Sequence, residues 1–410
     1  MHKRHFTDLA LFGGAPAFAE KLHVGRPNIG NRADLLERIN DILDRRWLTN
    51  AGNYVQEFER RIAGLVGVKH CIATCNGAVA LEIAIRALDL QGEVIVPAFT
   101  FVATAHALQW QQIRPVFADI DPRTHLVDPV SVERLITPRT TGILGVHLWG
   151  QCCDVPALDR IAARHGLRLL FDAAHALGCG HGATSVGNFG ELEVFSFHAT
   201  KFVNTLEGGA VVTNNDGLAR KIRLMKNFGF LGYDNVGWIG TNGKMNEFSA
   251  AMGLTSLESM DEFVAANRRN HGRYHAELGG LPGVRLLSYD SADRSNHQYV
   301  VAEIDPATCP ISRDRLLDVL WAENVIARRY FYPGCHRMEP YRTTDPAAAG
   351  HLPETERIAA RVLVLPTGQT ITADHVARLC SIIRLSIENG PEITRRLDRG
   401  APVHENVSAR

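Results

Sequence analysis

Short apolar runs rich in β-branched residues recur through the first half of the chain, at 71–74, 94–96, 115–118, 142–147, 168–171, 194–197 and 209–213. Between most of them lie segments compatible with helix, at 78–88, 104–111, 130–135 and 155–165. The first pattern predicts buried strands and the second helices that cover them. Parallel strands need helical crossovers and are covered on both faces, so this alternation predicts a mostly parallel, doubly wound α/β sheet.

Helical periodicity also marks 32–43 and 55–66, joined by the turn-rich stretch from Arg45 to Gly52, and again 217–226. A Gly-rich stretch at 232–243 predicts a long loop, of a length often kept for function. One long helix over 246–275 is expected to bridge to a second unit carrying strands at 298–304 and 361–365 and a helix at 313–323. The expected division is a lead segment (1–30), a large unit (31–260), a smaller C-terminal α+β unit (261–395) and a frayed tail (396–410).

At 410 residues the chain suits two units of ordinary size. Its 44 basic and 44 acidic side chains cancel. That balance gives no general attraction to nucleic acid or to an anionic membrane, so an acidic ligand must be held by a local site. No apolar stretch approaches the ~20 residues of a membrane span, and the start carries no secretory pattern. The eight cysteines show no C-x-x-C spacing, which argues against a zinc site or a disulfide framework and for a reducing cytoplasm. No metal site is expected.

Chemistry concentrates where apolar runs end. Ser196-Phe197-His198-Ala199-Thr200-Lys201 follows one run and precedes a Gly208-Gly209 turn, while Asp172-Ala173-Ala174-His175 follows another. Open α/β sheets bind ligands at the carboxyl ends of their strands. A desolvated lysine there suits a Schiff base to an aldehyde, and a carboxylate suits the protonated nitrogen of an electron-sink ring. Together Lys201 and Asp172 predict a pyridoxal 5'-phosphate site. Asn76-Gly77-Ala78 opens a helix whose free amides and dipole favour the phosphate.

The phrases TCNGAVALEIAIRAL, EVIVPAFTFVATAHAL, PVFADID, GVHLWGQ, FDAAHALG, VFSFHATKFVNTLEGGAVVT and KMNEFSAAMGL carry a resemblance to the DegT/DnrJ/EryC1/StrS aminotransferases over about residues 10 to 390. The resemblance implies the type I fold of pyridoxal phosphate enzymes, with a mostly parallel seven-stranded sheet and a smaller C-terminal domain. It implies amination of a nucleotide-linked keto sugar with L-glutamate as donor. The phrases LHVGRPNIG, RRWLTNAG and CHRMEPYR resemble enzymes acting on dTDP-4-keto-6-deoxyglucose in deoxyamino-sugar biosynthesis.

By resemblance, Lys201 forms the Schiff base, Asp172 meets the ring nitrogen, His175 lies near the phenolic oxygen, Phe101 stacks on the ring and Ser196 binds the phosphate. Asn242 reaches the phosphate of a neighbouring subunit, which makes a homodimer with shared sites the expected working unit. Tyr332 and His336 belong to a segment at the active-site mouth. Ala78 departs from the threonine common in the family and removes one phosphate donor.

Other readings stand beside this one. A keto-inositol or 3-keto sugar aminotransferase would use the same catalytic residues. A nicotinamide-dependent oxidoreductase is suggested by the sheet and by Gly178-Cys179-Gly180-His181-Gly182, although this is not a G-x-G-x-x-G turn. A non-catalytic sensor of sugar and cofactor is the third.

Overall fold

The computed structural model describes residues 3–290, 293–344 and 350–399. Seven of the apolar runs form one sheet: β1 (His70–Thr74), β2 (Glu93–Pro97), β3 (Arg114–Ala118), β4 (Thr140–Val146), β5 (Arg168–Asp172), β6 (Leu192–Ser196) and β7 (Gly209–Thr213). Their spatial order is β3-β2-β4-β5-β6-β7-β1. All neighbours pair parallel except β7, which runs antiparallel to both β6 and β1. Because β7 reverses, its first residue lies at the end of the sheet where the others finish, and Gly209 faces both Ser196 and Thr74.

Successive side chains in a strand point to opposite faces. Val94, Val96, Leu144, Leu170 and Val194 accordingly enter one core, while Ile95, Ile143, Leu169 and Phe171 enter another on the far side. Both faces are sealed by helices and loops, which leaves the strand ends as the place where polar chemistry can meet solvent.

A further core forms around three antiparallel strands, β8 (Val284–Leu286), β9 (Val300–Ile304) and β10 (Val362–Leu365). Helices Arg313–Ala322 and Ala373–Glu388 pack against it through Leu316, Leu320, Leu379 and Ile383. The lead segment belongs to this core, because Phe6, Leu9, Leu11, Phe18 and Leu22 are buried in it. Fully buried Glu323 fixes that segment: it accepts the N–H groups of Ala10 and Ala17 at 2.7 and 2.6 Å and lies 3.4 Å from the Lys3 ammonium.

Four local expectations change. The stretch 246–275 is two helices, Glu247–Glu258 and Met260–Leu278, parted at Ser259, whose backbone (φ −101°, ψ 9°) leaves the helical region. Serine tolerates helix well enough that periodicity gives no sign of the break. At the start of the Gly-rich stretch, Phe230–Gly232 and Asn235–Val236 pair as a small hairpin. The strand expected from 298 starts at Val300, because Gln298 and Tyr299 are tied to groups outside the sheet. Helix Gly390–Asp398 continues past the expected fraying point, held by buried Ile393 and Leu397; residues 400–410 lie outside the described residues. No helix among the described residues is long and apolar enough to cross a membrane.

Candidate active site

A cavity of about 530 Å³ opens at the carboxyl ends of the strands, within the size usual for small-ligand sites. Asp172 ends β5 and Ser196 ends β6, so their registry places both on its floor. Lys201 follows β6 by five residues, and the loop after β2 brings Phe101 to the opposite wall. Asn76, Gly77, Ala78 and His175 complete the set expected from sequence that lines it.

Asp172 is buried but not bare. Its Oδ2 accepts the Thr104 hydroxyl at 2.8 Å and its Oδ1 accepts the Ala174 N–H at 3.0 Å. Thr104 in turn lies 3.1 Å from the Thr100 hydroxyl. Burial raises the carboxyl of Asp172 above its usual range, while those two hydrogen bonds and the charge of Lys201 pull the other way. A cationic ring nitrogen against this carboxylate would favour its ionised form further.

At the other end of the cavity, Asn76 caps helix Gly77–Ala87 by accepting the Val79 N–H at 2.8 Å. The Gly77 and Ala78 N–H groups occupy the helix start, where no intrahelical carbonyl can reach them. The backbone here is crowded: a Cβ on Gly77 would come within 3.1 Å of the Ser196 Cβ, and one on Gly209 within 2.6 Å of the Asn76 carbonyl. Glycine at 209 is therefore required, and at 77 favoured, for the helix start to sit this close to the end of β6 and the beginning of β7. Phe101 keeps 58% of its surface exposed although it faces the cavity, an open apolar face beside a carboxylate, an amine and free amides. This donor set fits a flat heteroaromatic aldehyde with a phosphate tail.

Burial lowers the Lys201 amine to about 8, and the opposing charge of Asp172 keeps it from falling further. The neutral, nucleophilic fraction therefore grows as pH rises through about 8. The rate at which the protein forms an imine with pyridoxal 5'-phosphate is expected to rise with that midpoint and level off above it, as stopped-flow absorbance would record. A midpoint near the ordinary lysine value of 10.5 would mean that the amine is not desolvated. His175 is held well below its usual range by burial and by the Lys201 charge, so its ring is neutral.

Three expected residues lie elsewhere. His336 is buried behind the cavity wall, its Nε2 3.2 Å from Glu356, in a turn that buttresses the β2 loop through a Cys335 N–H to Ala98 carbonyl bond of 2.9 Å. Tyr332 turns outward and packs on the Arg313 and Arg329 guanidinium groups. Neither lines the cavity. Asn242 is exposed and also outside the cavity of its own chain, with its backbone bridged to Asn227.

Other residues line the cavity as well. Tyr299 enters with no sign in the sequence, whereas Tyr330 and Phe331 come from the segment that ends in Tyr332 and His336, expected at the active-site mouth, and His198 and Glu207 from the stretch around Lys201. Thr100 and Thr104 had one visible signal, a hydroxyl repeated four positions apart at a helix start. The glycine cluster at 178–182 contributes to a short hairpin, Gly180–His181 with Thr184–Ser185, and not to a strand-to-helix turn.

Residues 30–384 match the DegT/DnrJ/EryC1/StrS aminotransferase family. The chain is 37% identical over 365 residues to the dTDP-4-amino-4,6-dideoxy-D-glucose transaminase of Shigella dysenteriae, covering 88% of this chain and 98% of that protein. It is 34% identical over 370 residues to the GDP-perosamine synthase of Caulobacter vibrioides, covering 88% and 97%. Among solved structures, DesI in the presence of its TDP-sugar product superposes with a TM-score of 0.92 at 52% identity, covering 96% of this chain and 99% of that one.

Proposed function

The chain belongs to the DegT/DnrJ/EryC1/StrS aminotransferase family, and on that premise we propose that it moves an amino group from L-glutamate to C4 of a nucleotide-linked 4-keto-6-deoxy sugar, dTDP-4-keto-6-deoxyglucose, using pyridoxal 5'-phosphate. The observation that carries this is the convergence of Lys201, Asp172 and the free amides at Gly77 and Ala78 in one cavity. Similarity to DesI and to the dTDP-4-amino-4,6-dideoxy-D-glucose transaminase supports the choice of sugar.

When bound, pyridoxal 5'-phosphate supplies an aldehyde that takes up amines and a protonated ring that holds the electron pair freed at the substrate carbon. Asp172 would keep the ring nitrogen protonated, Phe101 would cover the ring face and neutral His175 would serve the phenolic oxygen. The Gly77 and Ala78 amides with the Ser196 hydroxyl would hold the phosphate. Backbone amides thus do the work left by the missing side-chain hydroxyl at Ala78.

Lys201, whose amine is brought down to about 8 and so holds a substantial neutral fraction near that pH, takes the α proton from the amino donor and later returns a proton to the sugar carbon that receives nitrogen. Sharing one amine between the two halves of the reaction requires that one product leave before the second substrate binds.

A homodimer with shared sites is part of this reading. Leu231, Tyr233, Val236 and Ile239 stand exposed on the hairpin and in the segment that follows it, beside exposed Phe228, a concentration of exposed large apolar side chains that suits a protein interface. Asn242 lies on the same projection, so a second copy covering the patch would receive it.

Incubation with L-glutamate and dTDP-4-keto-6-deoxyglucose is expected to yield the 4-amino sugar and an equal amount of 2-oxoglutarate, read by NMR and mass spectrometry. Amination only at another carbon would move the reading to another ketone. No amination of any nucleotide-linked keto sugar would remove it.

A further inference from the structure

Three side chains of one short segment, 296–299, reach the loops around the site, and one of them, Tyr299, lines the cavity. Asn296 Nδ2 donates to the carbonyls of His175 and Leu177 at 3.0 and 3.1 Å. Gln298 Oε1 accepts the N–H of Phe202, the neighbour of Lys201, at 3.1 Å. The Tyr299 hydroxyl lies 3.0 Å from His175 Nε2 and 3.5 Å from Lys201 Nζ. All three residues are buried. The segment therefore ties together the loops after β5 and β6, whose relative position sets the distance from amine to ring.

Building on the reading of Lys201 as the imine-forming amine, we propose that Tyr299 is a positioning residue that aims the Lys201 amine whenever that amine is free, with Asn296 and Gln298 fixing the tyrosine against both loops. Transamination frees the lysine when the amino donor displaces it, leaves it free through both half-reactions, and requires it to return to the same carbon when the amino product leaves. Among the described residues, Tyr299 is the hydrogen-bond partner of the Lys201 amine. Its ring cannot swing away, because it packs edge-on against Trp149 at 5.2 Å and against His175 at 4.5 Å.

The protons suit the arrangement. Burial raises the Tyr299 phenol, so it stays protonated. A neutral imidazole can accept that proton at Nε2 when its own hydrogen is on Nδ1. The phenol oxygen is then left with lone pairs for the lysine, and the tyrosine serves as acceptor for the amine and donor to the histidine at once.

The test uses the full chain stripped of cofactor and remixed with pyridoxal 5'-phosphate across pH. Tyr299→Phe keeps the ring and removes only the hydroxyl. Its rate of imine formation is expected to plateau about tenfold lower than wild type, since misaim of an ångström or less costs one to two orders of magnitude. The midpoint should also shift to lower pH, because an acceptor for the charged amine is lost. Turnover should fall about tenfold, with the KM for glutamate within about twofold of wild type.

Gln298→Met, which frees the Phe202 N–H, is expected to lower the plateau about threefold without moving the midpoint. A plateau, midpoint and turnover at wild-type values in Tyr299→Phe would overturn the proposal. Should that variant not fold, a wild-type plateau in Gln298→Met overturns it instead. Lys201→Ala separates the two ideas. A visible imine band surviving there would refute the assignment of Lys201, whereas loss of the band beside an unaltered Tyr299→Phe would refute only the role of Tyr299.

Discussion

Replacing Lys201 by alanine is expected to remove the visible imine band of the cofactor-loaded protein and to lower turnover by about four orders of magnitude or more, because nucleophile and proton carrier are lost together. The fold should survive. The side chain is half-buried and makes one long hydrogen bond, to Tyr299 at 3.5 Å, and its amine is already destabilised by burial, which brings it to about 8. Removing an amine that the fold holds at a disadvantage costs little stability, so loss of activity with an unchanged melting temperature is the expected pair of results. Steady transamination by the variant would exclude Lys201 as the reacting amine.

The second large effect is expected at Asp172→Asn. The amide keeps the volume: its one oxygen can still accept from the Ala174 N–H, and its NH2, in the place of Oδ2, can donate to the Thr104 hydroxyl once that hydroxyl rotates. What it cannot keep is the charge. Without it the ring nitrogen loses its proton, and the electron pair freed at the substrate carbon has a poorer sink. A fall of about 10³ in kcat/KM, equivalent to about 4 kcal/mol of transition-state stabilisation, should appear in single-turnover absorbance with glutamate, while the imine band with Lys201 still forms. A loss smaller than tenfold would place the ring nitrogen against some other group.

The two experiments also separate kinds of failure. Lys201→Ala removes the covalent attachment, and Asp172→Asn leaves it in place and weakens the step that follows. Loss of the visible band in both would indicate that Asp172 acts mainly by holding the cofactor in the cavity.

Much of this site could be read from the chain because its parts sit where runs of one kind stop. Asp172 and Ser196 end buried strands, Asn76 precedes a helix, and strand ends are where a sheet covered on both faces can place polar groups. The parallel sheet was legible for the same reason, since strands buried on both faces read as unbroken apolar runs.

What escaped was set by contacts between distant segments. Tyr299 is 98 positions from Lys201, and nothing in Asn296-His297-Gln298-Tyr299 marks which side chain reaches a site on the other sheet. Tyr330, Phe331 and Tyr332 are three adjacent aromatics, of which the first two line the cavity and the third packs on arginines. That choice is made by packing, and composition cannot disclose it. His336 looked available as a polar group near the mouth, but its partner Glu356 lies on a helix that only the folded chain brings beside it.

The bonds from Glu323 to the backbone at Ala10 and Ala17, with Lys3 beside them, bear on how the protein is made. A ribosome releases the lead segment first and Glu323 some three hundred residues later. At ~5–20 residues per second, the opening stretch with Phe6, Leu9, Leu11 and Phe18 spends tens of seconds without the core that will bury it. The central sheet, whose last strand ends at Thr213, can assemble in that interval. For this part of the chain the order of synthesis and the order of folding are opposed, and its apolar side chains are a natural target for chaperones on the nascent chain.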